Sequence, residues 1–105
     1  MPRYLITYHG VEMSDDPTEV HQMMVAFQAW AGGLGAALVD PGAPLGHART
    51  VSPGGVKEGQ NEAAIGGYSM IEAADLSSAV ALVENHPFVD RGGSLQVNEA
   101  VDLAM

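Results

Sequence analysis

Hydrophobic and polar positions along the chain follow two alternating rhythms. Residues 3–9 alternate loosely between apolar and polar and are rich in β-formers, which predicts a first strand. Asp16-Pro17-Thr18-Glu19 then sets up a helix start, with an Asp N-cap, Pro at the first helical position and an acid at the third. Val20, Met23, Met24, Phe27, Ala31 and Leu34 recur at helical spacing as one apolar stripe with Trp30 at its border, and Gly32-Gly33 and Gly35 are expected to end the helix. Ala36 to Asp40 reads as a short buried strand that stops at Pro41-Gly42. His47 to Ser52 is a second extended stretch, closed by Pro53-Gly54-Gly55, and the polar segment from Val56 to Glu62 reads as loop. Ile65 to Ala73 reads as a central strand. Asp75 caps a second helix, in which Leu76, Ala79, Val80 and Val83 share a face and which His86-Pro87 terminates. Gly92-Gly93 turns the chain into a last strand, Ser94 to Ala100.

The predicted order is β-α-β-β-α-β with a short extra strand near His47, the signature of an α+β, ferredoxin-like sandwich. Residues 1–105 hold neither a repeat nor a linker and are read as a single domain. In such a sandwich two helices cover one face of an antiparallel sheet and leave the other open. The strands do not alternate as a half-wet sheet should. Ile65 and Ile71 stand against Tyr68 and Met70 on one strand, and Tyr4, Ile6 and Tyr8 against Leu5 on the other. A second copy of the chain is the economical cover for that second face. The alternative is a monomer whose exposed aromatics line a pocket.

Composition narrows the function classes. No cysteine is present, which excludes disulfides, thiolate nucleophiles and Cys-ligated metal or iron–sulfur sites. Thirteen acidic residues against four basic ones give a formal charge of −9. Arg3, Arg49, Lys57 and Arg91 are too few and too scattered to neutralise phosphates, so nucleic acid and anionic membranes are not expected partners. The charge is read as serving solubility. The apolar runs are too short to span a bilayer, and the opening residues read as a strand and not a signal peptide. A cytoplasmic location is the expectation.

Gly66-Gly67-Tyr68-Ser69-Met70-Ile71-Glu72-Ala73-Ala74-Asp75-Leu76, then Ala79-Val80, His86-Pro87 and Gly92-Gly93-Ser94-Leu95-Gln96-Val97, resembles the C-terminal half of the YCII-related family, in the branch known for a DGPF motif. The helix bearing His21, followed by Gly35 to Leu45, resembles its N-terminal half. The resemblance implies a dimeric α/β barrel of two ferredoxin-like sheets packed face to face, with a pocket in each protomer. It also implies a His–Asp pair in that pocket, at positions matching His21 and Asp40. A related dehydrochlorinase acts on a chlorinated hydroquinone, so the resemblance extends to acid–base chemistry on a small ring. The chain departs from the branch where Asp-Gly-Pro-Phe would stand: it has Ser52-Pro53-Gly54-Gly55-Val56-Lys57-Glu58-Gly59.

With that pair in view, His21 lies at the edge of the helical stripe, near Met24 and Gln28, where an imidazole can face a pocket. Asp40 closes a strand before a turn. In contact, the carboxylate would fix the ring's tautomer and raise its basicity, making His21 a general base for proton abstraction or elimination, as in a lyase or isomerase. The plainer alternative leaves His21 exposed and makes Asp40 a turn-former that bonds its own backbone. His9 and His47 are further pocket candidates, with Tyr68 as an apolar wall, and His86 is read as a helix C-cap. The His spacing signals no metal, the glycine clusters follow no phosphate-loop pattern, and no serine lies in a nucleophile elbow, so no cofactor is expected. Three readings follow: an enzyme with a His21–Asp40 acid–base pair, a non-catalytic dimeric module that binds a small molecule or partner protein, or a purely structural domain without a deep pocket.

Overall fold

The computed structural model describes residues 1–10, 16–59 and 64–101. Among the described residues, six strands and three helices follow one another: β1 (Arg3–His9), α1 (Pro17–Leu34), a 3-10 turn (Gly35–Ala37), β2 (Leu38–Pro44), β3 (Arg49–Ser52), β4 (Gly55–Glu58), β5 (Gly67–Glu72), α2 (Leu76–Val83), α3 (Pro87–Asp90) and β6 (Ser94–Glu99). The result is a mixed α+β protein with a four-stranded antiparallel sheet, ordered β2-β5-β1-β6, and a separate β3–β4 hairpin.

Both long helices start where the sequence places them. The Asp16 carboxylate accepts from the Thr18 amide, Pro17 opens α1, and the Asp75 carboxylate accepts from the Ser78 amide at the start of α2. The latter bond holds the Asp75 carboxyl below its ordinary pKa. Of the glycines expected to end α1, Gly32-Gly33 lie within the helix and Gly35 stops it, with a φ of 57° that suits glycine. The helical stripe is also centred differently. Trp30 is the buried residue of α1, Phe27, Ala31 and Leu34 are half-buried, and Met24 is 57% exposed. The Trp30 indole N–H donates to the Leu82 carbonyl at 3.0 Å and so satisfies an acceptor near the end of α2.

Cross-strand register assigns the two faces of the sheet. Tyr4 lies opposite Ile71 and Glu99, and Ile6 opposite Ser69 and Val97. These side chains share the face beneath the helices, where Tyr4, Ile6 and Ile71 join Trp30, Ala73, Ala79 and Val83 in the core. Ile6 and Ile71 are fully buried, each contributing on the order of 2–3 kcal/mol. The other face carries Leu5, Thr7 and His9 beside Tyr68 and Met70 on β5 and Ser94, Gln96 and Asn98 on β6.

Two further differences from the sequence reading concern β2 and β4. β2 does not stop at Pro41-Gly42; it continues to Pro44 with two register shifts against β5. An edge strand tolerates Pro41 because one side of its backbone needs no partner. Gly42 is obligatory there: its φ is 74°, and a Cβ would stand 1.7 Å from the Tyr68 carbonyl oxygen. β4 occupies part of the expected 56–62 loop and pairs with β3, Val51 facing Val56 and Arg49 facing Glu58, with the Arg49–Glu58 ion pair at 3.2 Å. Residues 60–62 of that stretch lie outside the described residues. Among the described residues, no helix is long and apolar enough to cross a membrane.

Candidate functional site

The face of the sheet away from the helices has an apolar centre and a polar surround. Leu5 pairs with Met70 across β1 and β5, and Thr7 with Tyr68, which puts Leu5, Tyr68 and Met70 side by side, all half-buried. Around them stand His9, Gln96 and Asn98. His9 is held at both ring nitrogens. Its Nδ1 lies 2.7 Å from the Ala64 carbonyl, which can only accept, so Nδ1 carries a proton. In the neutral ring Nε2 then accepts from the Thr7 hydroxyl at 2.8 Å. The Asn98 amide donates to the Leu5 carbonyl at 3.1 Å, and the Gln96 amide donates to Asn98 Oδ1 at 2.6 Å. This rim is ordered by its own hydrogen bonds, so it can present fixed polar groups around an apolar patch.

A second polar cluster lies beneath the helices. His86 is not a C-cap, as the sequence suggested, but the N-cap of α3: its Nδ1 accepts from the Phe88 amide at 3.0 Å. The ring is 3% exposed and packed against Trp30, Tyr8 and Phe27, with centroids 4.3, 5.1 and 5.8 Å away. Because Nδ1 accepts, the proton sits on Nε2, a buried atom with no hydrogen-bond partner among the described residues. Burial pushes the His86 pKa down to about 4, so the ring is neutral at physiological pH. Beside it, the Ser69 hydroxyl donates to the Pro41 carbonyl at 2.8 Å, leaving its oxygen to accept from Tyr8. Burial raises the Tyr8 pKa, an effect the Ser69 bond partly offsets.

The sequence-predicted site residues are not drawn into one place. Trp30 and His21 are nine residues apart, about two and a half turns, so burial of Trp30 turns His21 to the opposite side of α1, where it is exposed. Asp40 is also exposed, and its carboxylate accepts from the Gly42 amide at 2.8 Å. Among the described residues no hydrogen bond or ion pair joins His21 to Asp40. Met24 and Gln28 are exposed on α1, and His47 lines a shallow depression at the root of the hairpin with Arg49 and Glu58. Of the predicted set, His9 and Tyr68 share the open sheet face. Local pattern gave no signal for the burial of Thr7, Ser69 or His86, which depends on strands and helices remote in sequence.

His9 has both nitrogens engaged, His86 is sealed by aromatic rings, and His21 and His47 stand in solvent without a carboxylate partner among the described residues. Nor do three or more His, Asp or Glu side chains gather at metal-binding distance among the described residues. No family model matches the chain, and no curated protein matches it.

Proposed function

We propose that this chain is a ferredoxin-like, YCII-related, cytoplasmic protein that pairs with a second copy through the open face of its sheet. Its function is then to bind a small, mostly apolar or ring-shaped molecule at that covered face. The observation that carries the reading is the Leu5–Tyr68–Met70 patch, half-buried on the sheet face away from the helices inside a rim of hydrogen-bonded polar side chains. The strand order β2-β5-β1-β6, with each helical connection skipping one strand, supports the ferredoxin-like topology, and the family resemblance supports the face-to-face pairing. Binding is favoured over acid–base turnover because, among the described residues, none of the four histidines is both free and oriented by a carboxylate.

Sedimentation at micromolar concentration tests the pairing. The expected species has twice the 10.9 kDa chain mass, and Tyr68→Glu returns it to a single chain with an unchanged circular-dichroism spectrum. A wild-type protein that sediments as one chain at all concentrations removes this reading. Ligand binding is tested with hydroquinone as probe: the Met70 methyl and Tyr68 ring resonances should shift in a saturable way, and a response confined to α1 would place the site elsewhere.

A further inference from the structure

The corner between α2 and α3 is pinned by one buried side chain. His86 stands there, and its ring reaches Trp30 and Phe27 on α1 and Tyr8 on β1. α3 is a single turn of four residues, in which Val89 is exposed and the Phe88 ring lies 5.3 Å from that of Tyr8. One turn of helix has no stability of its own and depends on what holds its ends. At its start the side-chain hold is the bond from the Phe88 amide to the lone pair of His86 Nδ1.

That bond makes the attachment conditional. Nδ1 accepts only while it carries no proton, so the cap and a charged ring exclude each other. The Nε2 proton is buried without a hydrogen-bond partner among the described residues, which costs free energy that water would return. Nor does a neighbouring charge favour a second proton inside. Of the rings around His86 only Tyr8 titrates, and burial raises its pKa, so it stays neutral in acid. Glu84 after α2, and Asp90 and Arg91 at the end of α3, are exposed, and among the described residues no ion pair joins them to His86. On β6, which packs against α3, Ser94 to Asn98 carry no charge.

We propose that His86 is an acid-released latch: on taking up a proton its ring leaves the cage of Trp30, Phe27 and Tyr8, and α3 swings away from α1 and β1 while the four-stranded sheet stays folded. Gly92-Gly93 is the joint between α3 and β6. The core contacts among Tyr4, Ile6, Ile71, Ala79 and Val83, and the bond from Trp30 to the Leu82 carbonyl, do not pass through His86, so they persist with the ring out. Release uncovers an aromatic surface of Phe27, Trp30 and Tyr8 that is closed at neutral pH. Tyr8 lies on the helix side of the sheet, opposite to the face of the proposed pairing, so the latch stands without that pairing.

Native-state hydrogen exchange of the whole chain, read by nuclear magnetic resonance in low urea at pH 7.5 and 5.5, tests the latch. The Phe88 amide should exchange through an opening that urea barely affects, with lower protection than the Tyr4 and Ile6 amides of the central strand β1. After correction for intrinsic exchange, its protection should fall about tenfold between the two pH values, because the released ring titrates near 6.5. His86→Asn keeps an acceptor for the Phe88 amide and takes up no proton, so its Phe88 protection should be the same at both pH values. In wild type alone, Phe88, Tyr4 and Ile6 amides that share one protection and one urea dependence would mean that α3 is freed only by global unfolding. That result overturns the latch and leaves acid destabilisation of the fold through His86 standing. An equal fall in Phe88 protection in wild type and His86→Asn also overturns it.

Discussion

Acid should destabilise this protein through His86, whose burial disfavours the charged ring. The ring is buried among Trp30, Tyr8 and Phe27, and its Nδ1 lone pair caps α3, so protonation would place a charge against three aromatic rings and break the bond from the Phe88 amide. The folded pKa is about 4 against an unfolded value of 6.5, so between those limits the unfolded chain takes up the proton first. Stability from the neutral ring is therefore complete above pH 6.5 and is lost as the pH falls towards 4. At about 1.36 kcal/mol per unit the full loss is about 3 kcal/mol, nearer to 2 once solvent screening is allowed for. That is a large share of the roughly 5–15 kcal/mol that holds a domain folded. Carboxylates titrate in part of the same range, so the test compares wild type with His86→Phe, which removes the titrating group, and His86→Asn, which also keeps an acceptor for the cap. Urea unfolding at fixed protein concentration, followed by the fluorescence of the single tryptophan, gives the stability of each at pH 7.5 and 4.5. Wild type should lose about 2 kcal/mol more than either variant across that interval. Parallel losses in all three proteins would refute the buried neutral histidine.

The other expectations concern positions where one contact decides the outcome. Gly42→Ala should cost about 3 kcal/mol or more in urea unfolding, because it combines a positive φ with a Cβ driven into the Tyr68 carbonyl; a variant as stable as wild type would contradict the bulged path of β2. Trp30→Phe keeps the aromatic packing and removes the donor to Leu82, so a loss of about 1–2 kcal/mol is expected, measured the same way. Ser69→Ala strands both the Tyr8 hydroxyl and the Pro41 carbonyl and should cost about 2 kcal/mol, whereas a neutral effect would mean that neither group depends on it.

What was legible in the sequence was local. Asp16-Pro17 and Asp75 announce their helices because capping depends on neighbours two or three residues away. β1, β5 and β6 were marked by β-forming residues and the glycine turns beside them. β4 escaped because Gly55-Val56-Lys57-Glu58 is polar and becomes a strand only through pairing with β3. β2 was cut short at Pro41 because nothing local says that it lies at an edge. The same limit governs the site. His21 was placed beside the apolar stripe when Met24 was counted within it, and centring the helix on Trp30 turns His21 outward. The burial of His86 depends on β1, α1 and α3 arriving together, which no short window of sequence contains.

The proposed pairing of sheet faces can be examined atom by atom in a mixed-label sample, half the chains carrying carbon-13 methionine methyls and half unlabelled. Isotope-filtered nuclear Overhauser spectra should connect the Met70 methyl of one copy to ring protons of the open face of another. A Met70 methyl that shows no contact between copies, and that a paramagnetic agent in solution broadens as freely as the exposed Met24 methyl, would contradict it.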